Sequence, residues 1–236
     1  MRPLCCASSE LANSGKAGND GGVSMKKLYL IVAAMCILGG NAIFLGAADA
    51  KPTDAEREKM LKEFKRIPLN TTEGDAMMLR ILVQAHNSQR GVEVGTATGY
   101  GAIQMGIGFE RTGGKLITVD IDPKMVAATR ENLKKFGLEK TVTVVEGDAL
   151  QVLPKLEGTF DFVFIDALKR DYLKYFKALE PKLRRGAVIV ADNVIKSERD
   201  MMDFLAYFKD NPAYDSVTIR ASMEKDDGML VIYKVR

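Results

Sequence analysis

The sequence predicts an α/β fold, an open and doubly wound sheet that is mostly parallel and ends in an antiparallel C-terminal hairpin strand. Three observations carry this. From residue 53 onward, short Val/Ile/Phe-rich runs alternate with longer amphipathic stretches of helical period. The short runs are nearly continuous in apolar residues, as strands covered by helices on both faces are. A glycine-rich turn follows the first run, where sheets of this kind open a crevice for a ligand. With 236 residues and 47% hydrophobic composition, the chain has room for one such domain and an N-terminal extension.

The elements follow in order. Residues 54–66 form a charged amphipathic helix, and residues 74–88 a second, ended by Asn87-Ser88-Gln89. Strands are expected at Gly91–Val94, Lys115–Asp120, Thr141–Val145, Phe160–Asp166 and Ala187–Ala191. Helices at 100–109, 123–136, 149–155, 171–180 and 197–210 separate or follow them. Two last strands, Ser216–Arg220 and Met229–Val235, flank Lys225-Asp226-Asp227-Gly228, which is hairpin chemistry and implies antiparallel pairing. No internal repeat and no second domain is evident.

Composition narrows the function. The balance of 34 basic and 31 acidic residues, net +3, is too even for a nucleic-acid binder, and the charges alternate as on solvated helix faces. Cys5, Cys6 and Cys36 all precede the domain, so the domain has neither disulfide nor thiolate metal site. The single histidine, His86, cannot build a His-based zinc site and is expected on a helix surface or half-buried. Met77, Met78, Met201 and Met202 fall where amphipathic helices take core fillers.

The N-terminal region divides in two. Residues 1–24 are rich in Ser, Gly and Asn and are expected to be disordered, or to precede the true start at Met25. Lys26 and Lys27, the apolar stretch 28–48 and Ala48-Asp49-Ala50 have the three parts of a secretory signal peptide, so residues 25–50 are read as an export signal. The alternative is an uncleaved anchor holding the protein at a membrane through residues 28–48. The basic residues from Lys51 to Arg66 would then keep the domain cytoplasmic.

The first strand runs into Gly95-Thr96-Ala97-Thr98-Gly99-Tyr100-Gly101 and then a helix. Gly95 and Gly99 allow close backbone approach, and the helix N-terminus offers free N–H groups to an anion. A dinucleotide fingerprint would need glycines at 97 and 100, where this chain has Ala97 and Tyr100. Asp120 ends the second strand where a carboxylate can accept from ribose hydroxyls, and Asp148-Ala149 follows the third where an adenine can be gripped. Taken singly, Asp120 and Asp148 fit helix caps or loop residues better, and it is the set carried by three consecutive strand ends that favours a ligand site. Asp166 after the fourth strand, with Asp192 and Asn193 after the fifth, can converge. Two carboxylates and an amide oxygen suit a hard divalent ion, although Asp-Asn after a strand is also ordinary turn chemistry.

From about Ile67 to the C-terminus the chain resembles the small metal-dependent O-methyltransferases, the catechol and caffeoyl-CoA O-methyltransferases and their bacterial relatives. The landmarks are Ile67-Pro68-Leu69-Asn70-Thr71-Thr72-Glu73-Gly74, the glycine turn, Gly147-Asp148-Ala149 and Asp226-Asp227-Gly228. The resemblance implies a Rossmann-like methyltransferase sheet and S-adenosylmethionine as cofactor. Asn70, Thr71 and Gly95 would hold its methionine part, Asp120 its ribose, and Asp148 and Ala149 its adenine. Glu93, Tyr100, Gly101, Ile121 and Asp166 would complete that set. One departure is Gly101, where the family often has a serine whose hydroxyl meets the cofactor carboxylate. The resemblance further implies that Asp166, Asp192 and Asn193 hold a divalent metal, Mg²⁺ foremost, with Mn²⁺ or Ca²⁺ as alternatives. Lys169 would be the general base, and a small hydroxylated aromatic, catechol-like, the acceptor. Relatives are often homodimers. The rival readings are a methyltransferase acting on an amino group, a nicotinamide oxidoreductase, and a non-catalytic, membrane-associated S-adenosylmethionine-binding protein.

Overall fold

The computed structural model describes residues 51–236; the expectations for residues 1–24 and 25–50, including export, the membrane anchor and the three cysteines, lie outside the described residues. Among the described residues no helix is long and apolar enough to cross a membrane. Seven strands form one sheet in the order β3-β2-β1-β4-β5-β7-β6. They are β1 (Arg90–Val94), β2 (Lys115–Asp120), β3 (Val142–Glu146), β4 (Phe160–Ile165), β5 (Leu183–Ala191), β6 (Tyr214–Ile219) and β7 (Met229–Lys234). The first five are mutually parallel, and β7 runs antiparallel to both β5 and β6.

The helices are α1 (Asp54–Lys62), α2 (Glu73–Ala85), α3 (Tyr100–Thr112), α4 (Pro123–Lys135), α5 (Ala149–Val152), α6 (Tyr172–Leu179) and α7 (Met202–Phe208). A capping box between Thr53 and Glu56 starts α1. It ends at Lys62, before residue 66, the expected limit, with Glu63 as its C-cap. Asn87, at φ 52°, stops the chain from continuing α2 to residue 88. His86 caps that helix as a half-buried residue, its ring bridging Ser88 Oγ and the Gly186 carbonyl, each at 2.8 Å.

Both faces of the sheet are covered. Phe162 and Phe164 of β4 pack with α2 and α3 through Leu79, Val83, Ile103 and Ile107. The intervening Val163 and Ile165 face the opposite side, with Tyr172, Phe176 and Phe204 of α6 and α7. Every residue of β4 is therefore buried, which is why its sequence is apolar throughout except for Asp161. Met201 is fully buried, while Met202 is 63% exposed and does not serve as a core filler.

The hairpin between β6 and β7 is antiparallel as expected, but its connection is longer than a four-residue turn. It runs from Arg220 to Gly228, and Asp227 within it is turned inward and buried.

At the start of the central strand pair, the buried Asp161 carboxylate accepts from the Gln89 and Arg90 backbone N–H groups at 2.8 and 2.9 Å and pairs with Arg184 at 2.7 Å. This sets where β1 enters beside β4. Asp161→Ala should cost about 2 kcal/mol in urea unfolding, because it orphans two backbone N–H groups, while the half-exposed Arg184 guanidinium stays hydrated. A loss below about 0.5 kcal/mol, the scale of an ordinary surface substitution, would contradict this role.

Candidate active site

The parallel register ends β2, β1, β4 and β5 at one level: Val94 lies beside both Val119 and Ile165, and Ile165 beside Ala191. Each strand is then extended by one more backbone bond. Gly95 N–H donates to Val119 O at 2.8 Å, Asp166 N–H to Val94 O at 2.9 Å, and Asp192 N–H to Ile165 O at 3.0 Å. The chain turns to opposite sides of the sheet on leaving β1 and β4, so a crevice opens between them. A cavity of about 650 Å³ fills it.

Gly95 and the turn after it form the cavity floor. Gly95 has φ 90°, and a Cβ there would stand 2.1 Å from the Asp166 carbonyl oxygen, so the glycine is imposed by the neighbouring strand end as well as by any ligand. Ala97 also has positive φ, 48°. The turn holds this shape because Asp120 Oδ2 accepts from Thr96 and Ala97 N–H at 2.9 and 3.1 Å, while Oδ1 accepts from Asp122 N–H at 3.0 Å. Asp120 thus braces the glycine turn and still has unfilled acceptor directions toward the cavity. Asp148 caps α5, accepting from Leu150 N–H at 2.9 Å, and also lines the cavity. The cap and cavity-wall placements coincide.

At the other end, Asp166, Lys169, Asp192 and Asn193 come together through short bonds. Lys169 Nζ donates to Asp166 Oδ1 at 2.8 Å and to the Tyr172 hydroxyl at 2.7 Å. The Tyr172 hydroxyl donates to the Asp192 carbonyl at 3.2 Å, tying the tips of β4 and β5 together. Asp192 is 2% exposed, and burial together with the Asp166 charge pushes its carboxyl up to about 7. Its Oδ1 accepts from Asn193 N–H at 2.7 Å, whereas Oδ2 is buried without a partner. Asn193 adopts φ 62°, a left-handed conformation that Asn tolerates, and its Nδ2 donates to Asp227 Oδ2 at 3.3 Å. That leaves the Asn193 amide oxygen unused. An unpartnered carboxylate oxygen, a second carboxylate and a free amide oxygen fit a hard cation. Among the described residues no group of three or more His, Cys, Asp or Glu side chains is placed to hold a metal ion by itself.

The structure brings Thr71, Gly95, Asp120, Ile121, Asp148, Ala149, Asp166, Lys169 and Asn193 to the cavity wall. Asn70, Glu93, Tyr100, Gly101 and Asp192 lie buried behind it. Asn70 Oδ1 accepts from Ile67 N–H and the Thr98 hydroxyl at 2.9 and 2.8 Å, leaving Nδ2 buried and unpartnered. The space at Gly101 is already taken: a Cβ would meet Glu93 Oε1 at 2.9 Å and Thr71 Oγ1 at 3.2 Å. Two residues of the site were not foreseen. Tyr172 holds Lys169, and its spacing of three from Lys169 across a helix start was the available signal. Asp227 holds Asn193 and also accepts from Ile195 and Lys196 N–H at 3.0 and 3.1 Å. Its run, Asp226-Asp227-Gly228, is a landmark of the resemblance, but locally it reads as turn chemistry and signals no partner across the sheet.

A family model described as O-methyltransferase matches residues 48–203. The chain is 36% identical over 132 residues to a catechol O-methyltransferase of Niastella koreensis, covering 54% of this chain and 59% of that protein. It is 38% identical over 135 residues to a catechol O-methyltransferase of Mycobacterium tuberculosis, covering 57% and 60%. The match thus spans less than two thirds of either relative. Among solved structures, an O-methyltransferase from Bacillus cereus in complex with SAH superposes with TM-score 0.67 at 24% identity, covering 78% of this chain and 92% of that one, and shares the fold. Cofactor-bound Rv0187 from MTB gives TM-score 0.67 at 25% identity, covering 91% and 99%.

Burial pushes the Glu93 carboxyl up to about 8, against a hydrogen bond from the Thr118 hydroxyl at 2.5 Å that favours the anion. A raised acid stabilises the fold fully below its ordinary value of 4.5, and that contribution is lost as pH rises through about 8. Wild-type stability should therefore fall relative to Glu93→Gln by about 1.4 kcal/mol per pH unit across that window, read from urea midpoints. Parallel curves for the two proteins would show that Glu93 is ionised in the folded state.

Proposed function

The chain belongs to the O-methyltransferase family, and from that premise we propose that it transfers the methyl group of S-adenosylmethionine to a hydroxyl of a small catechol-like acceptor, assisted by a divalent cation, Mg²⁺ first, at Asp166, Asp192 and Asn193. The observation that carries this reading is the buried, unpartnered Asp192 Oδ2 beside Asp166 and the free amide oxygen of Asn193. The names of the relatives, catechol and caffeoyl-CoA O-methyltransferases, point to the same acceptor chemistry. The SAH held by the Bacillus cereus protein points to the same donor.

In this reading the donor lies across the glycine turn. Asp120 and Asp148 face its ribose and adenine, and Ile121, 69% exposed for so apolar a side chain, gives the adenine a face to pack on. The cation supplies charge that favours the ionised form of an acceptor hydroxyl. Lys169 receives the proton. Its Nζ is held between Asp166 Oδ1 and the Tyr172 hydroxyl at 2.8 and 2.7 Å, and the residue lines the cavity that would receive the acceptor hydroxyl. The acceptor oxygen attacks the methyl carbon, the carbon–sulfur bond breaks, and S-adenosylhomocysteine leaves with the sulfur electron pair. The rigid strand tips align donor and acceptor, and positioning of this kind lowers the barrier without further chemistry from the protein.

Methylation of a panel of catechols, followed by product mass spectrometry, tests the reading. Lys169→Met should lower kcat by about 100- to 10,000-fold, the usual worth of a positioned general base. Exhaustive chelation should abolish turnover, and added Mg²⁺ should restore it. Full turnover by Lys169→Met would overturn the base, and full turnover after chelation would overturn the cation.

A further inference from the structure

Two segments outside the sheet contribute to one wall of the cavity: Pro68, Leu69 and Thr71 come from residues 66–72 before α2, and Lys225 from residues 220–228 between β6 and β7. They are fastened to each other. Glu224 accepts from Arg66 at 2.8 Å and from Glu73 N–H at 3.1 Å, and Gly74 sits so close that a Cβ would meet the Ala221 carbonyl oxygen at 2.7 Å. Arg66 in turn stacks 5.3 Å over the Tyr100 ring. The second segment therefore has a fixed position relative to the cavity.

Within it, the neighbouring charges are engaged elsewhere. Arg220 pairs with Asp226 at 2.5 Å, Glu224 is held by Arg66, and Asp227 accepts three backbone N–H groups and the Asn193 amide. Lys225 is the exception. It lines the cavity, and among the described residues it takes part in no ion pair or hydrogen bond. The other lysine of the wall, Lys169, is spent on Asp166 and Tyr172. Asp75 and Glu224 both lie near enough to feel the Lys225 charge, but Asp75 is bonded to the Thr72 hydroxyl at 2.6 Å and Glu224 to Arg66 at 2.8 Å.

We propose that Lys225 selects acceptors that carry a carboxylate on the hydroxylated ring, making the preferred substrates small aromatic acids. This rests on the methyl-transfer reading and adds to it the charge of the acceptor. A free ammonium held on a stapled loop attracts an anionic substituent with little ordering cost. The cavity volume is that of a single drug-sized ligand site, so sharing it with the donor restricts the acceptor to a small molecule.

The test compares ortho-dihydroxybenzoate with ortho-dihydroxybenzamide, two acceptors of one shape that differ in charge, on wild type and on Lys225→Met, Lys225→Glu and Lys225→Arg. Wild type should prefer the acid by about tenfold in kcat/KM, mainly through KM, as expected of one partly desolvated charge pair. Lys225→Met should erase the preference, Lys225→Glu should invert it, and Lys225→Arg should keep it. An acid-to-amide ratio in Lys225→Met equal to that of wild type overturns the proposal. A Lys225 that only offsets the buried Asp75 would shift thermal unfolding and leave this ratio alone. Calorimetric titration of both compounds into protein with S-adenosylhomocysteine and Mg²⁺ separates the two levels of inference. Charge selection in binding without any turnover overturns methyl transfer alone. Equal affinities for acid and amide in wild type overturn the role of Lys225.

Discussion

The site depends on the level at which the parallel strands stop. β1, β4 and β5 end in register, and single backbone bonds from Asp166 to Val94 and from Asp192 to Ile165 carry that register one residue further. Those bonds fix the Cα positions of two carboxylate residues on adjacent strands, about 4.8 Å apart by the spacing of any sheet. Side chains placed this way need no loop ordering to converge. The same register forces Gly95, because a Cβ there would lie inside the Asp166 carbonyl.

Convergence has an electrostatic cost, and the fold keeps it. Asp192 is buried beside Asp166, and its carboxyl is driven upward by both burial and like charge. The compensations visible in the protein are partial: Lys169 on Asp166, and one backbone N–H on Asp192 Oδ1. The other oxygen has none. A native interior seldom leaves such an atom unpaired without use for it. Tyr172 and Asp227 hold the surrounding groups in fixed orientations, and both are buried more deeply than the groups they orient. This arrangement keeps Lys169 and Asn193 aimed while they remain accessible.

What the sequence made legible was whatever depends on chain direction and period. The Phe160–Ile165 run, apolar except for Asp161, announced a strand covered on both faces, and the polar residues directly after each strand fell where a doubly wound sheet puts its crevice. Residues that act across the sheet were hidden. Asp227 meets Asn193 from a segment 34 positions away, and nothing local separates it from the turn residues beside it. Glu93 sits in a strand as an apparent interruption, and only the packing of α3 shows that it shares its space with Gly101. Met202 follows the helical period of a core filler, yet a tight turn before α7 rotates it outward, since Met201 and not Met202 ends that turn inside. Local pattern decides element type; these cases were decided by which elements meet.

The proposed cation is the point on which the chemistry turns, and binding can be measured apart from turnover. Mn²⁺ titration followed by electron paramagnetic resonance, in the presence of S-adenosylhomocysteine, counts bound ions directly. The account predicts one site in the wild-type protein, and its loss in both Asp192→Ala and Asn193→Ala while each variant remains folded by circular dichroism. Retention of that site by both variants, or no bound Mn²⁺ in the wild type, would contradict it.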